Sequence, residues 1–222
     1  MEETVYETTL VVDPAITTGW ALLKLYDCGN DCYRGEIYEY GYASIPDESE
    51  TDGDRCNWIF DWVGNMIDKH NINHVVEEEY FFSKRYATGS PVNVMLRAAI
   101  EMSIRRKGLY YTKIGPSLWK SFVAGRSTPT KDQVKQWGKL AAKKLFIQQA
   151  LWENYGFRFP DHSLSKPSPK NKKQRPVKLK MDVCDSIGQA VFYCCCINRI
   201  PEITLSVVRP DDVGFKGAFV YT

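Results

Sequence analysis

The chain has no apolar run of 18 residues or more, so no membrane-spanning helix is expected. Its first residues, Met1 to Thr4, offer neither the basic nor the apolar stretch of a secretory leader. An even set of cysteines is also missing. Seven are present, and Cys194, Cys195 and Cys196 are consecutive in a segment expected to be a buried helix. That pattern argues against a disulfide framework and predicts reduced thiols in a cytosol-like compartment. Cys28 and Cys32 flank a turn, but no second Cys/His pair stands nearby to complete a zinc site. No internal repeat is visible. What remains is a chain of 222 residues, 44% hydrophobic, which predicts one compact domain over 1–222.

The net charge of +2 conceals a strong asymmetry. Residues 1–103 carry 7 basic and 19 acidic side chains, net −12, while residues 104–180 carry 19 basic and 3 acidic, net +16. Residues 181–222 carry 3 basic and 5 acidic, net −2. A basic block in an acidic chain points to a polyanionic partner. The block also holds Trp119, Trp137, Trp152, Tyr110, Tyr111 and Tyr155, which favours nucleic acid. The competing reading is a solvated lysine-rich surface.

Periodicity gives the element order. Thr8–Asp13, Trp20–Tyr26 and Glu36–Ile45 read as three consecutive antiparallel strands, with Tyr38, Tyr40 and Tyr42 on one face of the third. Trp58, Ile59, Trp62, Val63, Met66 and Ile67 recur at helical spacing. A strand follows at Asn73–Glu79. Ser90-Pro91 then starts a helix to about Lys107 that is expected to bury Val94, Met95, Ala98 and Met102. Leu109–Ile114 is the next strand, and Gly115–Ala124 a short helix. Thr130 caps a single longer helix ending near Gly156, with Val134, Trp137, Leu140, Ala141 and Leu145 on one side. Residues 158–180 read as a basic loop insertion, Asp182 to about Asn198 as the last helix, and 201–222 as a C-terminal extension. The order predicts an α/β fold, a mixed five-stranded sheet with helices on its faces.

Four carboxylates stand in costly places. Asp13 ends the run Thr9-Leu10-Val11-Val12, and Glu77 ends Val75-Val76. Asp182 and Asp185 are three apart on a largely apolar helix, hence on one face. Carboxylates crowded to about 4 Å repel by on the order of 4 kcal/mol per pair at an effective dielectric near 20. Cations make such a cluster tolerable, and an all-oxygen ligand set favours Mg²⁺ or Mn²⁺ over zinc. Two ions roughly 4 Å apart are the arrangement used in phosphodiester hydrolysis. Taken singly, each acid has a plainer reading as a turn residue, a solvated edge or helix-dipole compensation.

The segment Val11-Val12-Asp13-Pro14-Ala15-Ile16-Thr17-Thr18-Gly19-Trp20-Ala21 resembles the opening of the RuvC family of Holliday-junction resolvases. Val75-Val76-Glu77-Glu78-Glu79-Tyr80-Phe81-Phe82 is similar to that family's second motif, an acid followed by an aromatic. Trp119 to Gly125, then Thr130-Lys131-Asp132-Gln133-Val134, resemble its two lysine motifs, and Asp182-Val183-Cys184-Asp185 its closing helix. The motifs occur in the family's order. The resemblance implies an RNase H-like fold, a homodimer, and metal-dependent cutting of four-way DNA by paired nicks. It implies metal-binding acids at Asp13, Glu77, Asp182 and Asp185, with Glu77 chosen over its neighbours because an aromatic follows three residues later. It also implies functional lysines at Lys120 and Lys131 and a stacking aromatic at Tyr80. Lys84, Arg85, Arg126, Lys135, Lys172, Lys173 and Arg175 join Tyr80, Lys120 and Lys131 as expected DNA contacts.

Ala15 stands where the family usually has Gly, and the chain is longer between Val134 and Asp182 than the bacterial pattern. These departures resemble a viral or phage member, acting in the host cytoplasm. Three rivals remain at this point. A nuclease of the same fold acting on RNA–DNA hybrids or other branched intermediates would share the acids. A non-catalytic junction-binding module would not need the complete set. A phosphate-binding kinase of related fold would need a second lobe, and 222 residues are too few for one.

Overall fold

The computed structural model describes residues 3–46, 49, 51–79, 91–157 and 178–205. Strands β1 (Thr4–Asp13), β2 (Thr17–Gly29) and β3 (Cys32–Ser44) form an antiparallel meander. Asn30 and Asp31 turn β2 into β3 at φ 54° and 57°, a region these two residue types tolerate. Helix α1 (Asp52–His70) follows, capped by a reciprocal Thr51–Asp54 box. Strand β4 (His74–Glu78) pairs parallel to β1, and β5 (Tyr110–Ile114) pairs parallel to β4 after helix α2 (Pro91–Arg106). Helices α3 (Pro116–Ala124), α4 (Lys131–Trp137), α5 (Lys139–Tyr155) and α6 (Lys178–Phe192) come next. A π-helical turn, Tyr193–Ile197, leads to β6 (Glu202–Leu205), which lies parallel to β3. The order across the sheet is β5-β4-β1-β2-β3-β6.

The expected mixed sheet therefore gains a sixth strand from the C-terminal extension. Arg199 at φ 57° turns the chain and Ile200 is buried, which delivers Glu202–Leu205 to the open edge of β3. Unpaired edge groups there gain partners in return.

Two apolar layers flank the sheet. Leu10, Val12, Trp20, Leu22 and Val75 face α1 and α2, where Ile59, Val63, Leu96, Ile100 and Ile104 close the core. Val11, Ala21, Leu23, Leu25 and Val76 face the opposite way, onto Trp119, Phe146, Ile147, Ile187 and Val191. The alternation along β1 and β4 is the two-residue period of a strand buried on both faces.

Four sequence expectations need correction. Helix α2 buries Leu96, Ala99, Ile100 and Ile104, whereas Val94, Met95 and Met102 are 40%, 41% and 63% exposed and Ala98 is exposed as well. Both stripes are apolar at helical spacing, and packing on α1 selects one. The expected single helix after Thr130 is two, because Gly138 at φ 79° and ψ 153° breaks it. That conformation belongs in practice to glycine. A bulge opposite Leu22 and Leu23 moves Tyr38 to the α1 side, while Tyr40 and Tyr42 stay on the other. Helix α6 begins at Lys178, inside the segment expected to be a loop.

Candidate active site

The site is built at the ends of β1 and β4. Asp13 ends β1 and faces Gly19 across the β2 pairing. The turn between them is stapled by buried Thr18, whose hydroxyl donates to the Ala15 carbonyl at 2.7 Å and accepts the Ala15 N–H at 3.3 Å. This holds the Thr-rich turn without the glycine usual at position 15 and fixes where β1 stops.

The parallel register decides which glutamate accompanies Asp13. Val12 lies opposite Glu77, so Asp13 comes level with Glu78. Residues level across paired strands share a face. Val12 and Glu77 belong to the α2 side, and Val11, Val76, Asp13 and Glu78 alternate to the α3 and α6 side. The register therefore sets Glu77, the expected second acid, on the α2 side, and Glu78 on the side that Asp13 takes by strand alternation.

Hydrogen bonding agrees with this division. Glu77 is 1% exposed and meets Arg97 of α2, with Nη1 3.4 Å from Oε1. The same Nη1 donates to the Glu78 carbonyl. Burial pushes the Glu77 carboxyl up to about 7, against the pull of the Arg97 guanidinium. Glu78 instead accepts a 2.9 Å hydrogen bond on Oε1 from the indole N–H of Trp119. Trp119 is fully buried, so the aromatic read as a nucleic-acid contact is an internal one.

Helix α6 completes the face. Asp185 on α6 is 4% exposed, and Gly188, three residues on, lies against the Trp119 ring. Asp182 lies on α6 one turn before Asp185; its side chain falls outside the described residues. Asp13, Glu78 and Asp185 offer hard carboxylate oxygens on one side of the sheet, a donor set that fits Mg²⁺ or Mn²⁺. Among the described residues, no three His, Cys, Asp or Glu side chains gather closely enough to make a preformed metal cluster.

Of the expected basic residues, Lys120 sits on α3, half-exposed, with Nζ 4.8 Å from the Trp119 ring centroid. Lys131 heads α4 behind a Thr130–Gln133 capping box and is exposed, as are Lys135 and Arg126. Tyr80, Lys84, Arg85, Lys172, Lys173 and Arg175 lie outside the described residues. Sequence reasoning missed the role of Trp119. The available signal was its place at the head of the first lysine motif, directly before Lys120.

A mixed sheet with an antiparallel meander, two carboxylates at adjacent strand ends and a third on a packed helix is an RNase H-like fold. No protein-family model matches the chain. The structure of RuvC from Thermus thermophilus shares the fold, with a TM-score of 0.51 and 16% identity over 84% of this chain and 94% of that one. The yeast mitochondrial Holliday junction resolvase Ydc2 aligns at a TM-score of 0.43 and 14% identity, over 84% of this chain and 78% of that one. The crossover junction endodeoxyribonuclease RuvC of Dictyoglomus thermophilum is 30% identical over 118 residues, 53% of this chain and 70% of the relative. This chain belongs to the RuvC family of crossover junction endodeoxyribonucleases.

Proposed function

We propose that this chain is a structure-selective endonuclease that resolves four-way DNA junctions by paired, divalent-metal-dependent phosphodiester hydrolysis. The observation that carries the reading is the placement of Asp13, Glu78 and Asp185 on one side of the sheet, in a chain of this family. These acids, with Asp182, would hold Mg²⁺ or Mn²⁺, two ions per site. Bound there, the ions would supply activation of the attacking water and stabilisation of the leaving 3′ oxygen.

The chain's own residues do the rest. Thr18 and the β1–β4 register fix the two strand carboxylates relative to each other. Asp185 is buried with the apolar wall of α6, which keeps bulk water from screening the charge of the site. Lys120 and Lys131 supply ammonium groups for the extra charge on the phosphate in the transition state. Arg126 and Lys135 are exposed and track the DNA backbone, so affinity falls steeply with salt.

The protein acts as a homodimer in this reading. What supports it is the exposed apolar stripe of Val94, Met95 and Met102 on one helix, α2, a face that two copies could cover about a two-fold axis. A two-fold axis there presents two sites to strands of opposite polarity.

The test is cleavage of a mobile four-way junction in Mg²⁺ or Mn²⁺, with linear duplex and RNA–DNA hybrid as controls and Asp185→Asn as the inactive variant. Symmetric nicks in opposing strands, lost in the variant, support the proposal. Cutting of the hybrid alone, or junction binding with no cutting, would overturn it.

A further inference from the structure

Glu77 and Glu78 are partnered by groups of different charge. The buried guanidinium of Arg97 lies beside Glu77, so the negative charge there is answered by the protein itself. The donor to Glu78 is the indole N–H of Trp119, which is neutral. A neutral donor occupies one lone pair and fixes the carboxylate plane without cancelling its charge. The charge of Glu78 therefore stays available to a cation, and its orientation does not depend on one.

Trp119 is itself held tightly. It lies one turn into α3, whose first residue, Pro116, follows directly from β5 beside β4. Its ring is fully buried among Val76, Ile114, Val123 and Ile187. On α6, Gly188 approaches so closely that a Cβ built there would stand 2.6 Å from Cζ3 and 3.0 Å from Cε3 of the ring. The indole is thus a spacer between β4, which carries Glu78, and α6, which carries Asp182 and Asp185. The Lys120 ammonium lies over the same ring at 4.8 Å, within cation–π range.

We propose that Trp119 is a positioning residue for the junction-cutting reaction: its N–H orients the Glu78 carboxylate toward the metal, and its ring sets the distance from β4 to the acids of α6. The proposal rests on the reading of Asp13, Glu78, Asp182 and Asp185 as the metal-binding acids. Trp119 touches neither substrate nor metal and acts through Glu78.

The experiment measures Mn²⁺ affinity of the full chain by isothermal titration calorimetry, alongside single-turnover junction cleavage across a Mn²⁺ series. Partners in the outer shell of a metal site are worth about 10- to 100-fold in affinity. Trp119→Phe, which keeps a ring and removes the N–H, is expected to weaken Mn²⁺ binding by about tenfold or more. Cleavage should recover at high Mn²⁺, with junction Kd unchanged. Gly188→Ala should weaken Mn²⁺ binding in the same direction, by displacing the ring. Should Trp119→Phe fail to fold, replacement of Trp119 by 3-benzothienylalanine decides, since it substitutes sulfur for the N–H at nearly constant volume. Wild-type Mn²⁺ affinity in a folded variant without the N–H overturns the proposal. Glu78→Gln separates the two readings: if it keeps wild-type Mn²⁺ affinity and cleavage, the acid assignment fails first; if it loses both while the Trp119 variants do not, only the role of Trp119 fails.

Discussion

Glu77 and Glu78 are adjacent on β4 yet face opposite helical layers, one toward Arg97 on α2 and the other toward Trp119 on α3. The two residues are chemically identical, and the strand period alone gives them different work.

That difference predicts unequal mutants. Asp13→Asn, Glu78→Gln and Asp185→Asn each lower junction cleavage at least about a hundredfold, while gel-shift affinity for the junction in Ca²⁺ stays within about threefold. Glu77→Gln retains cleavage of the same order as the unaltered protein. Nicking assays on all four settle it, and an inactive Glu77→Gln beside an active Glu78→Gln would falsify the assignment.

The Arg97 brace makes a stability prediction. Removing one member of a buried ion pair costs about 3–5 kcal/mol, because the other charge is left in the core. Arg97→Met is expected to destabilise by that order in urea unfolding. The double variant with Glu77→Gln should recover part of the loss, a coupling read directly from a double-mutant cycle.

Much of this was legible in the sequence and some was not. The stripe of α1 and the ends of β1 and β4 follow from local periodicity, and the family's motifs mark Asp13 and Asp185. Three glutamates in a row carry no periodicity, so only the pairing of Val12 with Glu77, distant in sequence, shows which of them lies on the side of the sheet that Asp13 takes. The face of α2 is not legible in the sequence because Val94, Met95, Ala98 and Met102 interleave with Leu96, Ala99, Ile100 and Ile104, and the choice between them belongs to α1. The break at Gly138 sits inside a strong helical pattern that a single residue interrupts.

The exposed α2 stripe predicts the oligomeric state. If the proposed homodimer forms through this stripe, Met95→Asp with Met102→Asp is expected to yield a folded monomer, measured by sedimentation velocity. The monomer should still bind DNA but should lose coordination of the two nicks. A variant that remains dimeric places the seam elsewhere.

Histidine burial predicts a pH response. His74 stacks on Tyr193 with centroids 5.3 Å apart and meets the Thr112 hydroxyl at 2.9 Å, and burial lowers its pKa from 6.5. Burial lowers that of His70 as well, against the opposing effect of Glu39. Both rings are favoured neutral in the folded state, so their stability contribution is complete above about pH 6.5 and is lost as the pH falls below it toward the lowered values. Because the raised Glu77 carboxyl contributes a slope of opposite sign over the same range, urea unfolding between pH 7.5 and 5 should show the histidine slope in the Glu77→Gln variant, and adding His70→Gln with His74→Gln should flatten it.

Gly138 predicts a backbone cost. Gly138→Ala forces a side chain into φ 79°, ψ 153° and should destabilise by about 1–3 kcal/mol in thermal or urea unfolding. A neutral result would mean that α4 and α5 can straighten into one helix.

The four residues of β6 also bear on how this chain is expected to behave in concentrated solution. They cover Arg34–Ile37 on the outer margin of β3 and give its backbone groups partners within the same molecule. A chain cut before Glu202 would bare that margin, a ready template for strand addition between molecules. Strand β6 is thereby expected to guard the β3 edge against such pairing, at the side of the sheet away from β4 and β5.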